Sequence, residues 1–166
     1  MKVPEAFVHS YFYTKHDILH ITHFNLKDVI TEPFKYDIAY YLGAAPSILP
    51  WENTSDSIPL ILMSWKAKES TLNELHELRD RKRAKEEMIP AIAWYLQMQF
   101  WMNGQPVRSI TDWKRDMELL KWKPVNVDER LDFIVKKPDL FHSYIQLQQL
   151  FTESTKLFYK SKALKK

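Results

Sequence analysis

Cysteine is absent from the 166 residues, and glycine occurs only twice. The first absence excludes disulfides, zinc ribbons, iron–sulfur clusters and thiol nucleophiles. The second excludes any glycine-rich loop that would bring backbone N–H groups onto a phosphate. A long apolar run is missing too: Ile89 to Met102 comes nearest, but it holds Gln97 and Gln99 and falls short of the ~20 apolar residues that span a bilayer. The opening MKVPEAFVHSYFY has no uninterrupted apolar stretch leading to a small-residue cleavage site, so no secretory signal is predicted and the expected compartment is the cytoplasm. No GxSxG elbow and no HExxH pair is present. Asp and Glu pairs fall only in charged contexts that read as exposed, so no catalytic residue is assigned.

What the chain does have is aromatic mass. Six Trp, eight Tyr and nine Phe accompany a hydrophobic fraction of 45 % and a charged fraction of 27 %, an ordinary balance for a globular chain. The length suits one domain of roughly 100–200 residues. Met88 to Gly104, MIPAIAWYLQMQFWMNG, reads as a helix apolar on nearly every face and therefore enclosed by others, with Ile92, Trp94, Leu96 and Trp101 in the core. Asn103-Gly104 supplies a left-handed C-terminal cap, and Pro106 prevents continuation.

Around this centre the periodicity predicts further helices. Asn25 caps a short helix broken at Pro33, and a second one carrying Ile38, Tyr41 and Leu42 on one face ends at Gly43. A turn-rich stretch from Ala44 to Asp56 follows, with Trp51 pinning it to the core. Ser57 is the expected cap of the next helix, with Pro59 in its first turn and Leu72, Leu75 and Leu78 on a later apolar stripe. Arg79 to Glu87 is charged except for Ala84, which predicts a solvated helical stretch or a junction, and Pro90 marks a fresh start or a kink. A helix opening near Thr111 is stopped by Pro124, Asp128 caps the next, and a long final helix begins at Pro138. The expectation is an all-α, single-domain bundle of about six or seven helices. Residues 25–166 form the bundle, and residues 1–24 form an arm packed on it whose type, strand, helix or irregular, stays open.

Three features carry candidate chemistry. His16, His20 and His23 stand at i, i+4 and i+7, which on a helix places three imidazoles on one face able to hold a divalent metal; on a strand His23 points the other way. Arg79, Arg81, Lys82, Arg83 and Lys85, with the lysines of the tail, form a basic surface suited to phosphates. Net charge is only +3, however, and Glu74, Glu77, Asp80, Glu86 and Glu87 flank the cluster as on an ordinary solvated helix. Trp94, Tyr95, Phe100, Trp101, Trp113 and Trp122 read as interdigitated core in preference to a ligand cavity.

From PSILPWENTSDSIPLILMSWK through AIAWYLQMQFWMNGQP to WKRDMELLKWKPVNVDERLDFI, about two-thirds of the chain, the order of features resembles the YpoC-like family of small proteins from Gram-positive bacteria related to Bacillus. The resemblance implies an all-helical cytoplasmic domain; it brings no catalytic motif and no functional residue. The function expected from the residues is a non-catalytic binding or scaffold module without a cofactor. Its expected partner is another protein, met through Ile48, Leu49 and Trp51 and through the charged segment from Arg79 to Lys85. The alternatives are a metal-dependent hydrolase or metal-binding bundle using the histidines, and a nucleic-acid-binding protein using the basic helix and tail.

Overall fold

Seven α-helices follow an irregular arm in the computed structural model, which describes residues 1–165. They are α1 (Asp28–Thr31), α2 (Lys35–Tyr41), α3 (Thr54–Glu77), α4 (Arg81–Trp101), α5 (Trp113–Glu118), α6 (Val127–Lys136) and α7 (Phe141–Leu164). The described residues contain no β-strand beyond two isolated bridges, Lys2 with Ile18 and His9 with Tyr13. The fold is all-α and forms one domain around one core.

Helix α4 is the centre because every residue from Ala91 to Trp101 is buried. No solvated face remains on this stretch, so neighbours must cover it all round. Its first turns are the opposite: among Arg81 to Glu87 only Ala84 is buried, as the charge run requires. The charged segment is both junction and helix. Arg79 takes a left-handed φ of 56° between α3 and α4, and the Asp80 side chain caps α4 by accepting from the Arg83 N–H at 3.2 Å. Pro90 makes no fresh start, for the helix runs through it. At the far end Gly104, φ 75°, lets the Gln105 N–H donate back to the Phe100 carbonyl at 3.2 Å, the closing bond of a Schellman turn.

Helix α3 lies along α4 as the other arm of a hairpin, and α7 packs on α4 and α6. The rings meet where these helices face one another. Trp65 stacks on Phe151 at 4.4 Å, and Tyr95 stands edge-on to the same Phe151 at 5.1 Å. Trp94, Tyr95, Phe100, Trp101 and Trp113 are buried and Trp122 half-buried, so the aromatic set is packed core.

Several helix starts differ from expectation. Ser57 caps nothing: α3 begins earlier, after Asn53, and Ser57 is buried inside it, its hydroxyl donating to the Pro50 carbonyl at 2.8 Å. Asp128 lies in the first turn of α6, whose cap is the left-handed Asn126. Helix α7 begins at Phe141, because Pro138 to Leu140 form a turn closed by the Ser143 hydroxyl donating to the Lys137 carbonyl at 2.5 Å. Helix α5 stops at Glu118, before Leu120 and Trp122. Leu78 lies past the end of α3 and is exposed, while Leu72 and Leu75 are buried.

The arm is irregular, with one 3-10 turn at Glu5–Phe7. It is tied to the domain by the fully buried Phe7, by the Ile110 N–H donating to the Ala6 carbonyl at 2.9 Å, and by the hydroxyls of Tyr11 and Tyr13 donating to the carbonyls of Val135 and Pro33, each at 2.6 Å.

Candidate functional site: a cleft over a buried carboxylate

His16, His20 and His23 are all exposed and lie on irregular backbone. With no helix beneath them the i, i+4, i+7 face does not exist, and among the described residues no group of three or more His, Cys, Asp or Glu is placed to hold a metal. The basic cluster is partly paired. Arg81 meets Asp139 at 2.5 Å, Arg83 meets Asp80 at 3.8 Å, and the Lys85 ammonium sits 5.8 Å from the centre of the Tyr11 ring, while Arg79 and Lys82 are exposed. In the loop Ile48 is exposed and Leu49 half-buried, but Trp51 is buried edge-on to Tyr40 at 5.3 Å and tilted on Trp101 at 6.3 Å. Trp51 therefore holds the loop down as expected and is withdrawn from the candidate interaction surface.

A different site emerges from α2. Phe34, in the left-handed conformation at φ 63°, donates its N–H to Gln97 Oε1 at 2.7 Å, and Gln97 Nε2 donates to the Val29 carbonyl at 2.9 Å. One glutamine of α4 thus holds both α1 and the start of α2. The register this sets buries Lys35 through Ala39 and leaves Tyr40 and Tyr41 outside at 51 % and 58 % exposure, so Tyr41 does not join the inward face predicted for it.

Asp37 is the consequence of that register. Only 1 % exposed, its Oδ2 accepts from Trp101 Nε1 at 2.9 Å and from the Val107 N–H at 2.7 Å. The turn at Asn103-Gly104 and the extended run through Pro106 bring Val107 back to α2, so Asp37 ties together α2, the end of α4 and the segment after it. Its Oδ1 is buried and receives no donor. Leaving a buried polar atom unpaired costs roughly 1–3 kcal/mol. Burial pushes the Asp37 carboxyl up to about 7, against the opposing pull of Trp101, of the Val107 N–H and of Asp37's own backbone N–H.

Above this carboxyl lies a cleft of about 400 Å³ lined by Asp37, Tyr40, Tyr41, Pro106, Val107 and Arg108. Arg108 is exposed and takes part in none of the ion pairs formed among the described residues. The lining combines a buried acid, two half-exposed phenol rings and a free guanidinium. A clamp between helices needs only Oδ2, so Oδ1 is surplus to the structural task. The neighbouring hollow at Ile48, lined also by Phe24, Leu26 and Tyr36, is smaller at about 260 Å³ and has no buried acid. A third, at Asn73, His76, Glu77 and Phe141, includes the unpartnered His76 Nε2; its ring is stacked on Tyr144 at 5.5 Å, and burial pushes its pKa below the usual imidazole value.

None of the cleft residues was singled out by the sequence as a functional candidate; Tyr41 and Pro106 were read as structural. The available signal was one acid inside FKYDIAYYL, a run otherwise apolar and aromatic apart from Lys35.

A helical domain with a small, mixed-charge cleft is the class these features define. The model of a family described as "YpoC-like protein" matches residues 55–166, which spans α3 to α7 and the Pro106–Arg108 wall of the cleft but not α2. "Uncharacterized protein YpoC" of Bacillus subtilis (strain 168) is 34 % identical over 139 residues, 83 % of this chain and 82 % of that protein. The chain belongs to the YpoC-like family. No solved structure matches it. No helix among the described residues is long and apolar enough to cross a membrane.

Proposed function

We propose that the protein is a non-catalytic binding module whose ligand seat is the cleft between α2 and the Pro106–Arg108 segment. The observation that carries this reading is the unpaired Oδ1 of Asp37, a buried acceptor on a residue that lines a concave surface. Polar atoms in protein interiors are almost always satisfied, so an exception calls for an explanation, and a bound partner group is one. The lining provides one carboxyl, two phenols and a guanidinium, and among these residues no nucleophile is held by a base. Recognition suits this set better than reaction.

The reading is tested by recording amide correlation spectra of the full-length protein against a library of small polar fragments. Binding at the proposed seat moves the signals of Asp37 to Tyr41, Val107 and Arg108 as one group, and Tyr41→Ala abolishes the response. A library in which no fragment at millimolar concentration shifts that group, or in which Tyr41→Ala changes nothing, overturns the proposal.

A further inference from the structure

Resting on the cleft as the ligand seat, we infer that the ligand is a small zwitterion of the α-amino acid type, with its ammonium group on Asp37 and its carboxylate on Arg108. Two charges of opposite sign line the cleft. Asp37 has one oxygen without a donor, and Arg108 has no acidic partner among the described residues. An ammonium brings donors to Oδ1 and makes the ionised carboxylate tolerable in a buried place, where an unpaired charge is strongly disfavoured. A carboxylate gives the guanidinium a planar acceptor of matching geometry.

The two conditions together favour a ligand with both charges. A plain amine leaves Arg108 without an acceptor, and a plain carboxylate brings no donor to Asp37 Oδ1. Tyr40 and Tyr41 offer aromatic surface between the charged groups, against which an apolar or aromatic ligand side chain rests. A volume of about 400 Å³ lies near the lower end of the ~300–1,000 Å³ typical of small-molecule seats. It fits a single small molecule better than a stretch of polypeptide. Because Oδ1 itself is covered, the ammonium reaches it only when side chains of the lining turn aside, and exposed side chains change rotamer in picoseconds to nanoseconds.

The test uses the full-length protein, isothermal calorimetry and amide correlation spectra, with each standard L-amino acid as probe. Phenethylamine and 3-phenylpropionate serve as the matched compounds that lack the carboxylate or the ammonium of phenylalanine. At least one amino acid is expected to bind with shifts at Asp37 to Tyr41 and Arg108, and phenethylamine and 3-phenylpropionate at least tenfold more weakly than phenylalanine wherever phenylalanine binds. Arg108→Gln, an exposed substitution that leaves the fold alone, weakens the bound amino acid at least tenfold, and so does Asp37→Asn, with circular dichroism unchanged. If other fragments occupy the cleft while no amino acid does, or if phenethylamine equals phenylalanine, the ligand class is wrong and the seat stands. If Arg108→Gln binds the amino acid as well as wild type, the assignment of its carboxylate fails. If nothing perturbs the cleft, inference and seat fall together.

Discussion

Replacing Trp101 by alanine and, separately, by phenylalanine separates the two jobs this residue does. Its ring is 1 % exposed and packs against Trp51, while its Nε1–H donates, with the Val107 N–H, to Asp37 Oδ2. Removing a buried large ring costs about 3–5 kcal/mol, because the cavity left behind closes only partly. Loss of the donor to a buried carboxyl adds about 1 kcal/mol or more. Trp101→Ala is thus expected to remove about 4–6 kcal/mol, which is most or all of the stability of a domain at the lower end of the usual 5–15 kcal/mol. Trp101→Phe keeps most of the ring volume and loses the donor, for an expected cost of about 1–3 kcal/mol. Urea denaturation followed by far-UV circular dichroism measures both, with the slope of the transition checked for constancy. A wild-type midpoint in Trp101→Ala refutes the placement of α4 at the centre of the core. Equal losses in the two variants refute the division of the energy between packing and hydrogen bond.

The Asp37 carboxyl, at about 7 in the fold against 3.8 unfolded, makes a contribution to stability that is complete below about pH 4 and declines as pH rises, vanishing above about pH 7. Asp37→Asn removes that slope, so the urea midpoint of the variant is expected to rise relative to wild type between pH 5 and pH 8; parallel profiles contradict the burial argument. Gln97→Leu leaves the Phe34 N–H and the Val29 carbonyl without partners and is expected to cost about 2–4 kcal/mol, with amide exchange accelerated first in α1 and α2. Gly104→Ala adds a methyl group into open space at a φ of 75°, so only backbone strain opposes it, about 1 kcal/mol by thermal melting. A much larger loss would reveal crowding at that turn.

The parts of the fold legible in the sequence are those whose signal is local and repeated. The apolar run of α4, the Asn-Gly stop after it and the periodic leucines and aromatics of α7 all specify structure within a few turns of chain. Helix starts were less legible. Ser57 and Asp128 have cap chemistry, yet the caps are Asn53 and Asn126, and neither of their side chains accepts a capping bond. Their position is decided by what the preceding loops must reach: Asn53 Nδ2 donates to the Leu49 carbonyl at 2.8 Å, closing the turn that seats Trp51. The arm defeated periodicity for a related reason. HDILHITHF alternates like a strand, but its only pairing among the described residues is the bridge of Ile18 with Lys2; it is held by the Leu19 N–H donating to the Met1 carbonyl at 2.8 Å, by the buried Leu19 side chain and by Lys35 Nζ donating to the His23 carbonyl at 2.6 Å.

The cleft was invisible because its one deeply buried charge is buried by residues far along the chain. Asp37 reads as an ordinary helix-surface acid until Trp101 and Val107, 64 and 70 residues away, cover it. Gln97 and Gln99 show what the core does with polar groups that serve structure alone. Gln97 satisfies Phe34 and Val29, and Gln99 donates to the Trp122 carbonyl at 2.5 Å while accepting from Ser154 at 2.8 Å. Both interrupt an apolar run, and both are matched at each end of the amide. Asp37 differs in being matched at one oxygen only, in a core that otherwise leaves just His76 Nε2 unpaired among the buried side chains of the described residues. That contrast is the ground for proposing that the second partner of Asp37 comes from outside the chain, and the exposed, unpaired Arg108 on the same cleft is the ground for proposing that this partner also carries a carboxylate.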